Sequence, residues 1–264
     1  MRYVFAVSND YYYDYLDKRE VKNFLMSYAY KDNLLKVLDK YGPHLEKNQT
    51  MFLIDSGAFT VWTKGQTIDV KEYGDFLEKL QKDYPKINFR FISLDVIPGK
   101  FGQKPNQTDI DKSAQQGWDN YMYLKGRGLN VIHIFHQFED EKWLHKLAAS
   151  SDYIGISPAN DRSIKSRVLW LRWVFSKIGT KVKAHGFGIT AKSALQAVPF
   201  YSADSSTWIV GVRWGQVDDK DLHQLKAKYE RNQEKLLNVG ISNSLDLEDK
   251  VTRLWKKRGI VWKD

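Results

Sequence analysis

Short apolar, β-rich runs recur along the chain at residues 2–7, 51–55, 89–95, 131–136, 153–157, 182–186, 200–204 and 208–213. Runs of this length and composition predict strands. Longer segments with apolar positions at helical spacing lie between most of them, at 17–40, 69–83, 108–126, 139–149, 163–178 and 190–198. Two more helical segments, 219–238 and 244–258, follow the last run. Strands alternating with helices predict parallel βαβ units, and eight strands predict a closed (β/α)8 TIM barrel of the α/β class. An open doubly wound sheet is the competing architecture. It carries a glycine-rich phosphate loop after its first strand, and Ser8-Asn9-Asp10-Tyr11-Tyr12 is nothing like one.

Tyr41-Gly42-Pro43, Ile97-Pro98-Gly99 and Gly126-Arg127-Gly128 punctuate these elements as local turns without a shift in composition. The expectation is one domain over 1–264 with decorated loops, and 264 residues suit a barrel of about 250. No apolar stretch is long enough to span a bilayer. Met1-Arg2-Tyr3-Val4-Phe5-Ala6-Val7 lacks the apolar core of a signal peptide and predicts a first strand. Without cysteine there is no disulfide, thiol nucleophile or thiolate metal site. A cytoplasmic protein without membrane contact is expected. Lys and Arg total 41 against 32 Asp and Glu, and the resulting charge of +9 favours polyanionic partners, nucleic acid before membrane.

The polar residues that close the apolar runs carry the candidate chemistry. Asp55 follows Met51-Phe52-Leu53-Ile54, Asp95 follows Phe91-Ile92-Ser93-Leu94, and Asp204 lies in Tyr201-Ser202-Ala203-Asp204-Ser205. Gln137, Ser157 and His185 occupy matching places. In a barrel these positions gather at the C-terminal mouth, where chemistry is built. An aspartate so placed also serves as a helix N-cap or a solvated turn residue. In Asp55-Ser56-Gly57-Ala58-Phe59, small residues let backbone approach a ligand and Phe59 is placed to cover a planar ring. A carboxylate at Asp95 and a carboxamide at Gln137 suit the edge of a guanine-like base, with backbone N–H groups of 153–157 meeting an exocyclic oxygen. His133 and His136 face opposite ways on one strand and should not chelate one ion. His185 is placed to stack on a ligand, or to be a satisfied core histidine. Lys183 shares its side of the strand, which demands a partner or a bulge.

Cations interleave with aromatics in the segments that follow: Trp62 and Lys64, Lys100 and Lys104, Arg162, Lys165 and Arg167, then Arg213 and Trp214. Such a surface suits a phosphate backbone and unstacked bases, although solvated helix faces also collect lysines.

Asp55-Ser56-Gly57-Ala58-Phe59, Leu94-Asp95, Gln137, Gly155-Ile156-Ser157, His185-Gly186-Phe187-Gly188 and Asp204, in that order, resemble the tRNA-guanine transglycosylase superfamily. The resemblance spans about residues 50 to 215. It is closest to the short phage-type branch, the DNA-guanine transglycosylases that install 7-deazaguanines in DNA. It implies that Asp204 attacks C1′ and holds the sugar covalently, and that Asp55 moves protons to and from the exchanging base. It implies that Asp95 and Gln137 read the base edge, with Gly155 as a backbone donor to the base carbonyl. Phe59 becomes an aromatic lid, His185 stands where tRNA enzymes carry a methionine, and Ser56 and Ser157 complete the substrate-binding set. Ala58 replaces the second glycine of the family's Asp-Ser-Gly-Gly motif.

The tRNA-acting members carry a Cys/Cys/Cys/His zinc subdomain after the nucleophile, and this chain has no cysteine. The departure implies DNA before tRNA, no zinc subdomain and a monomer. The expected partners are DNA and a free 7-deazaguanine base. The chemistry requires no redox cofactor or catalytic metal, since two carboxylates perform a double displacement as in retaining glycosidases. The same exchange on tRNA or other RNA, a glycosidase acting on small sugars, and a non-catalytic nucleic-acid-binding barrel are the competing readings.

Overall fold

Nine short parallel strands run in the order β5-β4-β3-β2-β1-β9-β8-β7-β6 through the computed structural model, which describes residues 1–47, 50–99, 103–159, 161–209 and 233–262. They are β1 (Arg2–Val7), β2 (Asn23–Ser27), β3 (Met51–Asp55), β4 (Asn88–Ile92), β5 (Val131–Ile132), β6 (Ile134–His136), β7 (Tyr153–Ser157), β8 (Lys183–Gly186) and β9 (Ser202–Ser205). Only His133 separates β5 from β6, so the two are one stave, and its two halves pair with β4 and β7. The His133 carbonyl itself accepts from Gly155 N–H at 2.8 Å. The ring therefore closes with eight staves, as expected for a (β/α)8 barrel.

Alternation along the strands sorts side chains into two layers. Tyr3, Phe5, Phe24, Met26, Phe52, Ile54, Phe91, Phe135, Ile154 and Ile156 point outward into the main core under the helices. Each such side chain contributes about 1.5–3 kcal/mol by leaving water. Val4, Leu25, Leu53, Ile92, Ile132, Ile134 and Tyr153 form a separate cluster that fills the lumen. Several lumen rows begin and end in polar residues, among them Asn23-Leu25-Ser27 and Lys183-His185. The barrel thus has an apolar plug between two polar mouths.

Around the staves lie α1 (Asp10–Asp17), α2 (Lys31–Lys47), α3 (Ala58–Trp62), α4 (Val70–Asp83), α5 (Gln107–Gly126), α6 (Glu141–Ser150), α7 (Ile164–Ile178), α8 (Lys192–Ala197) and α9 (Gln233–Lys257). Polar side chains of Asn9, Asp69, Asn106, Asp140 and Ser163 cap five of their N-termini, accepting from first-turn N–H groups. Among the described residues no helix is long and apolar enough to cross a membrane.

Several expectations require correction. Where a break was expected between helices at 219–238 and 244–258, α9 runs unbroken from Gln233 to Lys257, and 219–232 lie outside the described residues. The segment expected as one helix over 17–40 contains a strand, Asn23–Ser27, paired with β1 and β3. Its Leu25 and Met26 are good helix formers, and tertiary pairing overrides that preference. The strand expected at 208–213 is not the eighth stave. Thr207–Ile209 is a 3₁₀ turn with Trp208 and Ile209 buried, and 210–213 lie outside the described residues. Finally, α2 runs unbroken through Tyr41-Gly42-Pro43, where a turn was expected.

Candidate functional site

Asp204 sits on the lumen side of β9, and its Oδ1 is held from two directions. Gly188 N–H donates to it at 3.1 Å, and His185 Nε2 lies 3.2 Å away. The His185 Nδ1 contacts Ser202 Oγ at 2.6 Å, which contacts the Tyr153 hydroxyl at 2.6 Å. The chain is self-consistent when Tyr153 donates to Ser202, Ser202 to Nδ1, and Nε2–H to Asp204. Oδ2 makes no hydrogen bond among the described residues, and Asp204 keeps 9% of its surface accessible. One carboxylate oxygen is fixed and the other is unpartnered among the described residues. His185 is fully buried, with Phe187 edge-on at 4.5 Å, so it orients Asp204 instead of stacking on a ligand.

Asp55 ends the lumen row of β3. Its Oδ2 accepts from Gly57 N–H at 2.9 Å, and the Ser27 hydroxyl from β2 also bonds it. Burial first, then the negative charges of Asp95 and Asp204, push its carboxyl from 3.8 up to about 6. All three aspartates lie at or just past the C-terminal ends of parallel strands β3, β4 and β9, at one mouth. Gly57 makes the turn possible. Its φ is +76°, and a Cβ there would lie 2.6 Å from both Ala29 Cβ and Ser27 Oγ. Ser56 is buried, and its Oγ accepts from Ala58 N–H at 3.4 Å, so it shapes this turn and does not face the mouth.

Asp95 is paired with His136, whose Nε2 is 3.4 Å from Asp95 Oδ2. Glu139 clamps the same histidine, with Oε1 at 3.0 Å from Nδ1 and Oε2 accepting the backbone N–H at 3.1 Å. Burial alone would lower the His136 pKa, and the two carboxylates more than reverse that, holding it well above its ordinary 6.5. Asp95 Oδ1 is buried without a hydrogen-bond partner among the described residues. A buried acceptor without a partner is costly to the fold and calls for a donor. His133, which burial pushes down to about 4, is satisfied by Ser93 Oγ at 2.7 Å and stacks on Tyr121.

The remaining expected residues divide. Gln137 Oε1 accepts from Ala159 N–H at 3.0 Å, and Gln137 N–H donates to Ser157 O at 3.0 Å, which ties the two loops at this mouth together. Gly155 is not a free backbone donor, because its N–H is bonded to His133 within the wall. Its role is steric, since a Cβ would lie 2.6 Å from Phe187 Cε2 and 2.9 Å from Ile134 Cγ1. Phe59 is 58% exposed on α3 beside Trp62, free to cover a ligand. Lys64, Lys104, Arg162 and Lys165 are exposed on loops and helix starts that follow strand ends. Arg162 stands 4.9 Å from the ring centroid of Phe138, whose φ of 87° is strained for an aromatic residue. Arg167 is partly buried, with Nε donating to Arg162 O at 3.0 Å. Lys100, Arg213 and Trp214 lie outside the described residues. Lys183 belongs to the opposite mouth, where β8 keeps regular register without a bulge.

Sequence reasoning missed Ser27, His136, Glu139, Tyr153 and Ser202 as functional residues. Alternation along each strand carried the signal for four of them, Ser27 and His136 at the last lumen position of their strands and Tyr153 and Ser202 at the first. Glu139 lies in a loop and carried none.

Among the described residues no three His, Asp or Glu side chains converge as a metal site. No protein-family model and no characterised protein matches the sequence. Similar solved structures are distant. One described as "Native KDPGal structure" is 7% identical over 93% of this chain and 97% of its own, with a TM-score of 0.48. A monomeric dihydrodipicolinate synthase variant is 12% identical over 94% of this chain and 80% of its own, with a TM-score of 0.47. The chemistry of the site rests on its own residues.

Proposed function

We propose that this protein is a pentosyltransferase that exchanges guanine in DNA for a 7-deazaguanine base through a covalent aspartyl-glycosyl intermediate. One observation carries the reading. Asp204 is a carboxylate fixed through one oxygen, and it shares its mouth with Asp55, whose carboxyl at about 6 holds or releases a proton near neutrality.

In the first step Asp204 Oδ2 attacks C1′ and the C1′–N9 bond breaks. Guanine leaves with a proton from protonated Asp55. In the second step the incoming base gives its N9 proton to the Asp55 carboxylate and attacks C1′, and the ester to Asp204 breaks. Two inversions retain the sugar configuration. The unpartnered Asp95 Oδ1 suits the N–H donors of a guanine edge, and His136 beside Oδ2 holds the carboxylate in place. Phe59 covers the base. The α7 N-terminus, with no acidic residue in its first turn and with Lys165 there, suits a backbone phosphate.

The test is nucleoside mass spectrometry of DNA incubated with the protein and free 7-deazaguanines, with tRNA in parallel. Incorporation into DNA supports the reading. Incorporation into tRNA alone transfers the activity to RNA, and incorporation into neither, with binding intact, leaves a binding barrel.

A further inference from the structure

The N-terminal mouth of the barrel carries a second chemistry. Arg2, Lys22, Arg90 and Lys183, with Asn23 and Asn88, line a cavity of about 560 Å³ at the start of the strands. Arg90 and Lys183 occupy lumen rows and are partly buried. Arg2 Cζ and Lys183 Nζ stand 4.4 Å and 4.7 Å from the centroid of one ring, Tyr201. Arg2, Lys22, Arg90 and Lys183 thus face one shared volume.

Two carboxylates, Glu20 and Glu248, also line the cavity. Glu248 is already committed to Tyr3 N–H at 3.0 Å. Among the described residues no carboxylate lies within ion-pair distance of Lys22, Arg90 or Lys183. Cations partly withdrawn from water and held beside like charges destabilise the fold unless an anion joins them. This end of a barrel ordinarily serves stability, where such a cluster has no use. A guanidinium fork, two ammoniums and amide donors match a tetrahedral oxyanion.

We propose that this mouth binds a small phosphate-class dianion, free or carried on a small molecule, at a site separated from Asp204 by the apolar plug. The cavity has the size of small-molecule sites, about 300–1,000 Å³.

Isothermal titration of the full chain with inorganic phosphate, pyrophosphate and adenosine monophosphate, at constant ionic strength, tests it. Saturable one-to-one binding is expected, with a melting temperature that rises with anion concentration. Lys183→Gln and Arg90→Met should each weaken binding by about tenfold or more. Arg90→Met removes a partly buried residue, so Lys22→Gln at the exposed rim provides a variant that leaves the fold alone, and it too should bind more weakly. Asp204→Asn should bind the anion as wild type does. Tighter binding of the nucleotide assigns a carried phosphate, and equal binding of inorganic phosphate assigns a free one. Absence of saturable binding at millimolar anion overturns the proposal. Binding unchanged in all three cation variants, or displaced by stoichiometric duplex DNA, overturns it as well. None of these outcomes depends on base exchange.

Discussion

His185 Nε2 lies 3.2 Å from Asp204 Oδ1, at the end of a hydrogen-bond chain that starts at Tyr153 and passes through Ser202. The ring is fully buried, so the protein and not the ligand sets its orientation. His185 is therefore a positioning residue. His185→Gln should lower kcat for exchange by about 10²-fold through misplacement of the carboxylate while KM changes little. Steady-state kinetics on DNA decide it. An equal loss in KM with kcat intact would make His185 a substrate contact.

Asp55 ties stability to pH. Its carboxyl is raised in the folded state from 3.8 to about 6, so the folded protein retains a proton that the unfolded chain releases between those values. Stability falls as pH climbs through that window and stays low above it, by about 3 kcal/mol for a rise of this size. Asp55→Asn should melt higher than wild type at pH 7 and show no such advantage at pH 4, while exchanging bases slowly at both. Calorimetry across the range measures the difference, and a constant offset at all pH values would remove the linkage.

The barrel was legible because its staves alternate so regularly, and the candidate aspartates Asp55 and Asp204 because each ends a lumen row. β2 was hidden by Leu25 and Met26, whose preferences are helical and whose strand exists only through pairing with β1 and β3. Ser27 was lost with it, though it bonds Asp55. The expected donor role of Gly155 failed for a related reason. Whether a backbone N–H is free depends on the neighbouring stave, here His133 O at 2.8 Å, and no local pattern reports that. Glu139 meets His136 only because the loop after β6 turns back on the strand end.

His136 should titrate well above 6.5, because Asp95 and Glu139 outweigh the effect of burial. A raised histidine stabilises the fold fully below its unfolded pKa, and that contribution disappears as pH rises through the folded one. Glu139→Gln should move the titration down toward the ordinary value. The stability gap between variant and wild type should close at alkaline pH. Histidine proton NMR follows the first and thermal melts the second. A His136 that titrates normally in wild type would show that the clamp does not form.

Lys64, Arg162, Lys165 and Arg167 follow strand ends toward the Asp204 mouth, with the exposed rings of Phe59 and Phe138 among them. If they hold phosphates, each neutralising substitution should lower the slope of log K against log salt by about 0.9 on duplex DNA and about 0.7 on single strands. Phe59→Ala and Phe138→Ala should weaken binding without changing the slope, since stacking releases no counterions. Filter binding across a salt series separates the two effects. A wild-type slope near zero would end the nucleic-acid reading altogether.

The proposed mechanism turns on Asp204. With Oδ1 held by Gly188 and His185, only Oδ2 is available to C1′, and the ester it forms leaves the Oδ1 hydrogen bonds in place. Wild-type protein with guanine-containing DNA should give a covalent adduct that survives denaturation and disappears when excess guanine is added, since the incoming base reverses the step. Asp204→Asn should lose the adduct and the exchange while binding DNA normally, because phosphate contacts elsewhere supply most of the affinity. Asp55→Asn should form the adduct slowly, since the nucleophile remains and the proton carrier has been removed. A purely structural Asp204 predicts otherwise. Asparagine accepts the same two hydrogen bonds through its amide oxygen, so Asp204→Asn would then be nearly silent. Full exchange by Asp204→Asn protein, verified by mass spectrometry as free of deamidation to aspartate, would move the nucleophile elsewhere.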